Sequence, residues 1–221
     1  MKTNVKKLVL TAMIAAVAYL LVSFIRIPVI PFLPFLTYEP KDVIITIGGF
    51  LQGPITAFIC SLVVSLVEMV TISTTGPIGC IMNLLSTCAF ACTAALIYKK
   101  RHDFLGAILG LVAGSVLMAG MMLLWNWLIT PLYMGYPREA VVELLLPGFL
   151  PFNLLKAGFN TALTLMLYKP LVGALRHTGL VAVQQSSSDA PKSHPKIGTY
   201  LVGAVLLITC ILLLLVLQGK I

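Results

Sequence analysis

Residues 144–166 read LLLPGFLPFNLLKAGFNTALTLM, and this stretch decides the fold. It is long enough to cross a bilayer, yet it carries one charge, Lys156. A lysine near the centre of a spanning helix costs about 2.5–3.5 kcal/mol on insertion scales, so it is kept where it faces a polar cavity or a partner. Asn153 and Asn160 flank Lys156 at i−3 and i+4, which puts the three side chains on one helix face. Two amides and a cation at membrane depth suit a polar, ring-bearing or anionic solute.

The rest of the chain agrees with a membrane setting. Of 221 residues, 59% are hydrophobic and 10% charged, with a mean hydropathy of +1.04. Soluble domains carry about 25% charged residues. The chain therefore reads as an all-α integral membrane protein with six or seven spans of about 20 residues. No glycine-rich phosphate loop ending in Lys-Ser/Thr is present, so any ATP-driven step needs another subunit. The net charge of +8 lies largely in loops at helix ends, where it sets orientation and does not indicate nucleic acid. The five cysteines lie in apolar stretches without metal-ligand spacing. The basic start and apolar run of the N-terminus imitate a signal peptide, but the run continues through Phe24 and Ile25 and reads as a first span.

The predicted spans are 8–25, 43–51, 55–70, 78–98, 104–129, 142–168 and 200–217. The second is short and contains glycines. Prolines 28, 31, 34 and 40 forbid a regular helix between the first two spans. The organisation expected is a six-helix membrane domain over 1–175, a polar cytoplasmic linker over 176–198 and an additional C-terminal span over 199–221. Lys2, Lys6, Lys7, Lys99, Lys100, Arg101, Lys169, Arg176, Lys192 and Lys196 fall on one side, which places the N-terminus in the cytoplasm. The opposite loops carry Arg26, Lys41, Arg138 and Lys220. Loops 28–42 and 130–139 are then external, and polar and aromatic residues gather there. Asn126 is an amide in an apolar helix and wants a partner. Trp127 and Tyr133 suit an interfacial aromatic belt. Glu68, near the outer end of a span, is expected to be solvated. Ala12 and Ala16 form a small-xxx-small pair that lets another helix approach.

Four stretches carry a family resemblance: TYEPKDVIITIGGFLQGP (37–54), TGPIGCIMNLLST (75–87), NWLITPLYMGYPREAV (126–141) and LLPGFLPFNLLKAGFNTAL (145–163). With them the chain resembles, over roughly residues 5–175, the substrate-binding S components of energy-coupling factor (ECF) transporters, most closely the riboflavin-specific one. The resemblance implies a six-helix protein that captures a vitamin from outside and catalyses no reaction. It further implies a transmembrane coupling subunit, two cytoplasmic ATPases, and release by toppling in the bilayer. It assigns Asn126, Asn153 and Lys156 as main ligand contacts, Tyr38 and Glu39 to the ribityl end or lid, and Asn83 as a further candidate. Ala12 and Ala16 match the docking motif for the coupling subunit. Riboflavin is cargo here, and no cofactor or metal is implied. The seventh segment departs from the family core. It is either a lipid-facing extra helix or one that modulates docking.

Other classes fit less well. Another vitamin or small aromatic metabolite would keep the architecture, although Lys156 argues against a cation such as thiamine. An enzyme would need a nucleophile–base pair or metal ligands at membrane depth, whereas His102, His177 and His194 all fall in predicted loops. A stand-alone secondary transporter would show inverted repeats and midplane carboxylates, and neither is evident.

Overall fold

The computed structural model describes residues 2–31, 33, 36–135, 137–177 and 197–220. Helix α1 (Lys2–Phe24) leads into a short antiparallel pair, β1 (Ile27–Pro28) with β2 (Thr37–Tyr38), in which Ile27 faces Tyr38 and Pro28 faces Thr37. Then come α2 (Lys41–Gln52), α3 (Pro54–Thr71), α4 (Gly76–Thr87), a π-helical turn (Cys88–Cys92), α5 (Thr93–Lys100) and α6 (Phe104–Met134). Helix α7 (Arg138–Leu144) passes through a second π-helical turn (Leu145–Phe149) into α8 (Leu150–His177), and α9 (Ile197–Leu217) follows. Among the described residues, six helical segments are long and apolar enough to cross a membrane.

Helix α2 is not one of the six. Its 12 residues rise about 18 Å, less than a hydrocarbon core. It lies at the centre instead, packed by α1, α3, α5 and α8. Two glycines make that position possible. A Cβ on Gly48 would come 2.9 Å from Ile14 of α1, and one on Gly49 would come 2.9 Å from Ala95 and 3.0 Å from Ala57. Gln52 ties the inner end of α2 to α1, accepting from Thr11 at 3.0 Å and donating to the Lys7 carbonyl at 3.3 Å. Gly53, at φ 99°, makes the sharp link into α3 that an L side chain would strain.

Helix α6 starts under Asp103, whose carboxylate accepts from the Gly106 amide at 2.6 Å. It then crosses the hairpin partner α4–α5 at close range. A Cβ on Gly110 would meet the Ala94 carbonyl oxygen at 2.7 Å, and one on Gly114 would meet that of Phe90 at 2.5 Å. Small residues at such crossings let backbones approach where lipid supplies no hydrophobic drive.

The second π-helical turn interrupts what reads in sequence as one continuous span. The amide of Leu150 reaches back to the Leu145 carbonyl, an i→i+5 bond, around Pro147 and just before Pro151. Prolines remove amide donors, and the widened turn re-pairs the ladder. Helix α8 runs on to His177, into the segment read as a linker, and residues 178–196 of that segment lie outside the described residues.

A Gly114→Val substitution forces a branched side chain against the Phe90 carbonyl and should cost about 1–3 kcal/mol by overpacking. Thermal unfolding in detergent micelles should shift down for Gly114→Val and hold or rise for Gly120→Ala, whose Cβ would meet nothing within 4 Å. Equal midpoints for Gly114→Val and wild type would contradict the close crossing.

Candidate functional site: a pocket walled by paired charges

Helix α2 begins with two adjacent charges, Lys41 and Asp42, both fully buried. Successive helix residues point about 100° apart, so the two side chains leave in different directions. Lys41 Nζ lies 2.6 Å from both carboxylate oxygens of Glu68 on α3 and 2.8 Å from Glu39 Oε2. Arg26 Nε stands 3.4 Å from the other Glu39 oxygen. Asn83 of α4 donates to Glu68 Oε2 at 3.1 Å. Asp42 faces the opposite way. Its Oδ2 is 3.3 Å from Lys156 Nζ and accepts from Asn160 at 3.2 Å, while Oδ1 accepts from Thr87 at 2.7 Å. Lys156 also donates to Ser86 at 3.4 Å. Three cations and three carboxylates are therefore interleaved at one end of the bundle.

Against this network opens a pocket of about 740 Å³, counted out to its mouth. Asn83, Ser86, Asn126, Asn153 and Lys156 supply its polar wall from three helices, with Arg26, Thr37 and Glu39 from the loop above. Leu36, Met82, Met122 and Phe152 supply the apolar wall, and Ser73, Thr74 and Thr75 stand at the α3–α4 turn.

The two asparagines are held by their own helices. Asn126 donates to the Met122 carbonyl at 2.7 Å and accepts from Thr130 at 2.9 Å. Asn153 donates to the Phe149 carbonyl at 2.7 Å, at the end of the π-helical turn. An amide has two donor hydrogens and two acceptor sites, so each retains capacity toward a ligand after these bonds.

Two expectations change. Glu68 is not solvated. It is 1% exposed, because Lys41, which reads as an external loop cation, is buried beside it and takes both of its carboxylate oxygens in addition to Glu39. Tyr38 does not line the pocket. Side chains alternate along an extended strand, so Thr37 and Glu39 face the pocket while Tyr38 turns away. Its hydroxyl donates to Asn160 Oδ1 at 3.2 Å, and its ring packs 5.0 Å from that of Phe159. Trp127 is likewise outside the lining, with the Arg138 guanidinium 5.5 Å from its ring. Two contributors escaped the sequence reading. Nothing in the local sequence singles out Asp42, at the edge of loop 28–42, and Phe152, an aromatic ring of the lining, has only its place beside Asn153 to mark it.

A bundle of apolar helices with a pocket near one end, walled by amides and balanced charges, defines a multi-pass membrane protein that binds a small solute. Comparison with known proteins agrees. The model of the family "ECF transporter, substrate-specific component" matches residues 6–168, and the chain belongs to that family. Its members are substrate-binding parts of transporters, not enzymes. The chain is 30% identical to the riboflavin transporter RibU of Staphylococcus aureus over 178 residues, covering 77% of this chain and 93% of that protein. It is 25% identical to the riboflavin transporter FmnP of Bacillus subtilis, covering 75% and 91% respectively. RibU of Streptococcus thermophilus is 27% identical, covering 78% and 86%. A solved structure described as "Structure and mechanism of the S component of a bacterial ECF transporter" matches with a TM-score of 0.67 at 30% identity, covering 78% of this chain and 99% of that one.

Removing one partner of a buried pair leaves the other charge stranded, at about 3–5 kcal/mol. Glu68→Ala leaves Lys41 with Glu39 as its remaining ion-pair partner and should lower the unfolding midpoint, and the double variant Lys41→Met/Glu68→Met, in which Glu39 keeps Arg26, should regain part of the loss. A double variant no better than Glu68→Ala would argue against the pairing.

Proposed function

We propose that this chain is the riboflavin-binding subunit of an ECF-type transporter, taking the vitamin from the outside. The observation that carries the proposal is the convergence of Asn126, Asn153 and Lys156 on one pocket whose own charges are balanced. The pyrimidine edge of the isoalloxazine ring offers two carbonyl acceptors around an imide donor. An asparagine presents a donor and an acceptor side by side, which matches that edge. Lys156 donates to a ring carbonyl or a ribityl hydroxyl. Met82, Met122 and Phe152 supply the surface for a flat aromatic ring, and sulfur and ring contacts add to simple burial. Glu39, Thr37 and Asn83 stand where a polyhydroxyl chain would find acceptors and donors. Asp42 neutralises Lys156, so the pocket favours a neutral, polar ring over an anion. Relatives that carry the name riboflavin transporter support the same ligand.

The partners follow from the same reading: a transmembrane coupling subunit and two cytoplasmic ATPases. Ala12 and Ala16 are exposed on α1, flanked by exposed Val9, Met13 and Leu20, while Leu10, Ile14 and Ala18 face the core. That is a smooth, small-residue face open to another helix. Lys6 and Lys7 mark the same end of the bundle as Lys99, Lys100 and Arg101, and we assign that end to the cytoplasm by the positive-inside rule. The pocket then opens outward at the cell membrane.

The visible spectrum of detergent-purified protein, followed by riboflavin titration, tests the ligand. A flavin spectrum or tight quenching of riboflavin fluorescence is expected, and a colourless protein that ignores riboflavin would overturn the proposal. Lys156→Met and Asn153→Ala should each weaken binding about tenfold or more, as losses of charged or buried hydrogen bonds do. Ala12→Trp should leave binding intact and abolish uptake by the assembled transporter. Normal uptake would discard the docking face.

A further inference from the structure

Helix α9 lies beyond the stretch matched by the family, and it is built onto the pocket loop. It runs along α8 with small residues at the contacts. A Cβ on Gly158 would come 2.5 Å from Cys210 Sγ, and one on Gly203 would come 2.7 Å from Met166 Cγ. These pairings run in opposite senses along the two helices, so α9 returns antiparallel to α8 and carries its C-terminal end to the pocket end of the bundle. There Gln218 Nε2 donates to the carbonyl of Pro28, in strand β1, at 3.0 Å. Cys210 is buried in one apolar cluster with Val29, Ile30, Leu33, Leu36 and Tyr38, and Leu207, Leu214 and Leu217 pack against the same cluster.

The loop thus has two sides. Thr37 and Glu39 face the pocket, and Tyr38 faces the cluster that α9 completes. Tyr38 in turn bonds Asn160, Asn160 bonds Asp42, and Asp42 pairs with Lys156. We infer that α9 is an intramolecular clamp on the pocket loop, with Gln218 and Cys210 as positioning residues that slow ligand release. Loops with few packed contacts open readily, because their local unfolding free energy is small. Backing strand β2 with a helix raises the cost of lifting Thr37 and Glu39 off a bound ligand. Neither Gln218 nor Cys210 lines the pocket, so the effect falls on retention and not on recognition.

This inference rests on the riboflavin reading above, and stopped-flow fluorescence on the full chain separates the two. Gln218→Ala should speed riboflavin dissociation about two- to tenfold, the range for one hydrogen bond, with association unchanged. Cys210→Trp, which wedges α9 off α8, should speed it by about tenfold or more. Leu212→Trp, on the 51% exposed lipid side of α9, is the control and should release riboflavin as wild type does. Wild-type protein that binds no riboflavin overturns the functional reading and the clamp together. Wild-type binding with unaltered release from Gln218→Ala and Cys210→Trp overturns the clamp alone. So does equal acceleration by Leu212→Trp. Gln218→Ala alters one partly exposed side chain at the end of a helix, so it keeps the test open should the wedge variant not fold.

Discussion

The structure depends on two neighbouring charges at the start of a buried helix that have to be satisfied in opposite directions. Lys41 pulls Glu68 of α3 and Glu39 of the loop inward, and Asp42 pulls Lys156 and Asn160 of α8 and Thr87 of α4. Neither ion can be left alone at this depth, since desolvation costs several kcal/mol per ion. Helices α3, α4 and α8 and the loop are therefore fastened to one point, and the pocket is the space left beside it. Buried pairs are not an efficient source of stability compared with well-packed apolar residues. Their contribution here is geometric: the amine of Lys156 is held at the pocket wall with its charge already balanced.

The helices themselves are adapted to that geometry. The π-helical turn before α8 gathers Pro147 and Pro151 into one irregular stretch, and Asn153 binds the Phe149 carbonyl directly after it. Irregular backbone at membrane depth is tolerated where protein buries it or where it lines a cavity. Phe152, Asn153 and Lys156 all follow within two turns of that irregularity, so the same break in the helix that prolines enforce presents the ligand-facing side chains. At the other end, glycines 48, 49, 110 and 114 let α2 and α6 approach their neighbours closely. These close crossings sit beside a second, more apolar pocket at that end, lined by Phe50, Tyr98, His102, Phe104 and Tyr168, so the polar pocket is set apart by its lining of amides and charges and not by space alone.

Helix α9 adds a part outside the matched stretch. Its outer face is lipid-exposed, as Val205, Ile208 and Leu212 show, and its inner face covers a loop that in sequence reads only as proline-rich. It meets α8 and the loop, whereas Ala12 and Ala16 lie exposed on α1. A clamp on the loop and a docking face on α1 therefore occupy separate elements of one small bundle.

The sequence by itself determined the membrane class, most of the spans and the anomaly of Lys156 with its two asparagines. Hydropathy is a local sum, and three residues at helical spacing share a face whatever surrounds them. The short second helix and the prolines before it were legible for the same reason, although its 12 residues are too few to span and it is buried at the centre instead. Tertiary structure alone decided what the charges do. Glu68 and Lys41 are separated by 27 positions, and Asp42 and Asn160 by 118, so no local pattern pairs them. The direction of Tyr38 depended on a strand pairing of two residues, too short to leave a periodic signal. The role of α9 depended on contacts with a loop 190 positions away. Burial of a charge is a property of its partners, and partners distant in the chain are brought together only by the packed fold.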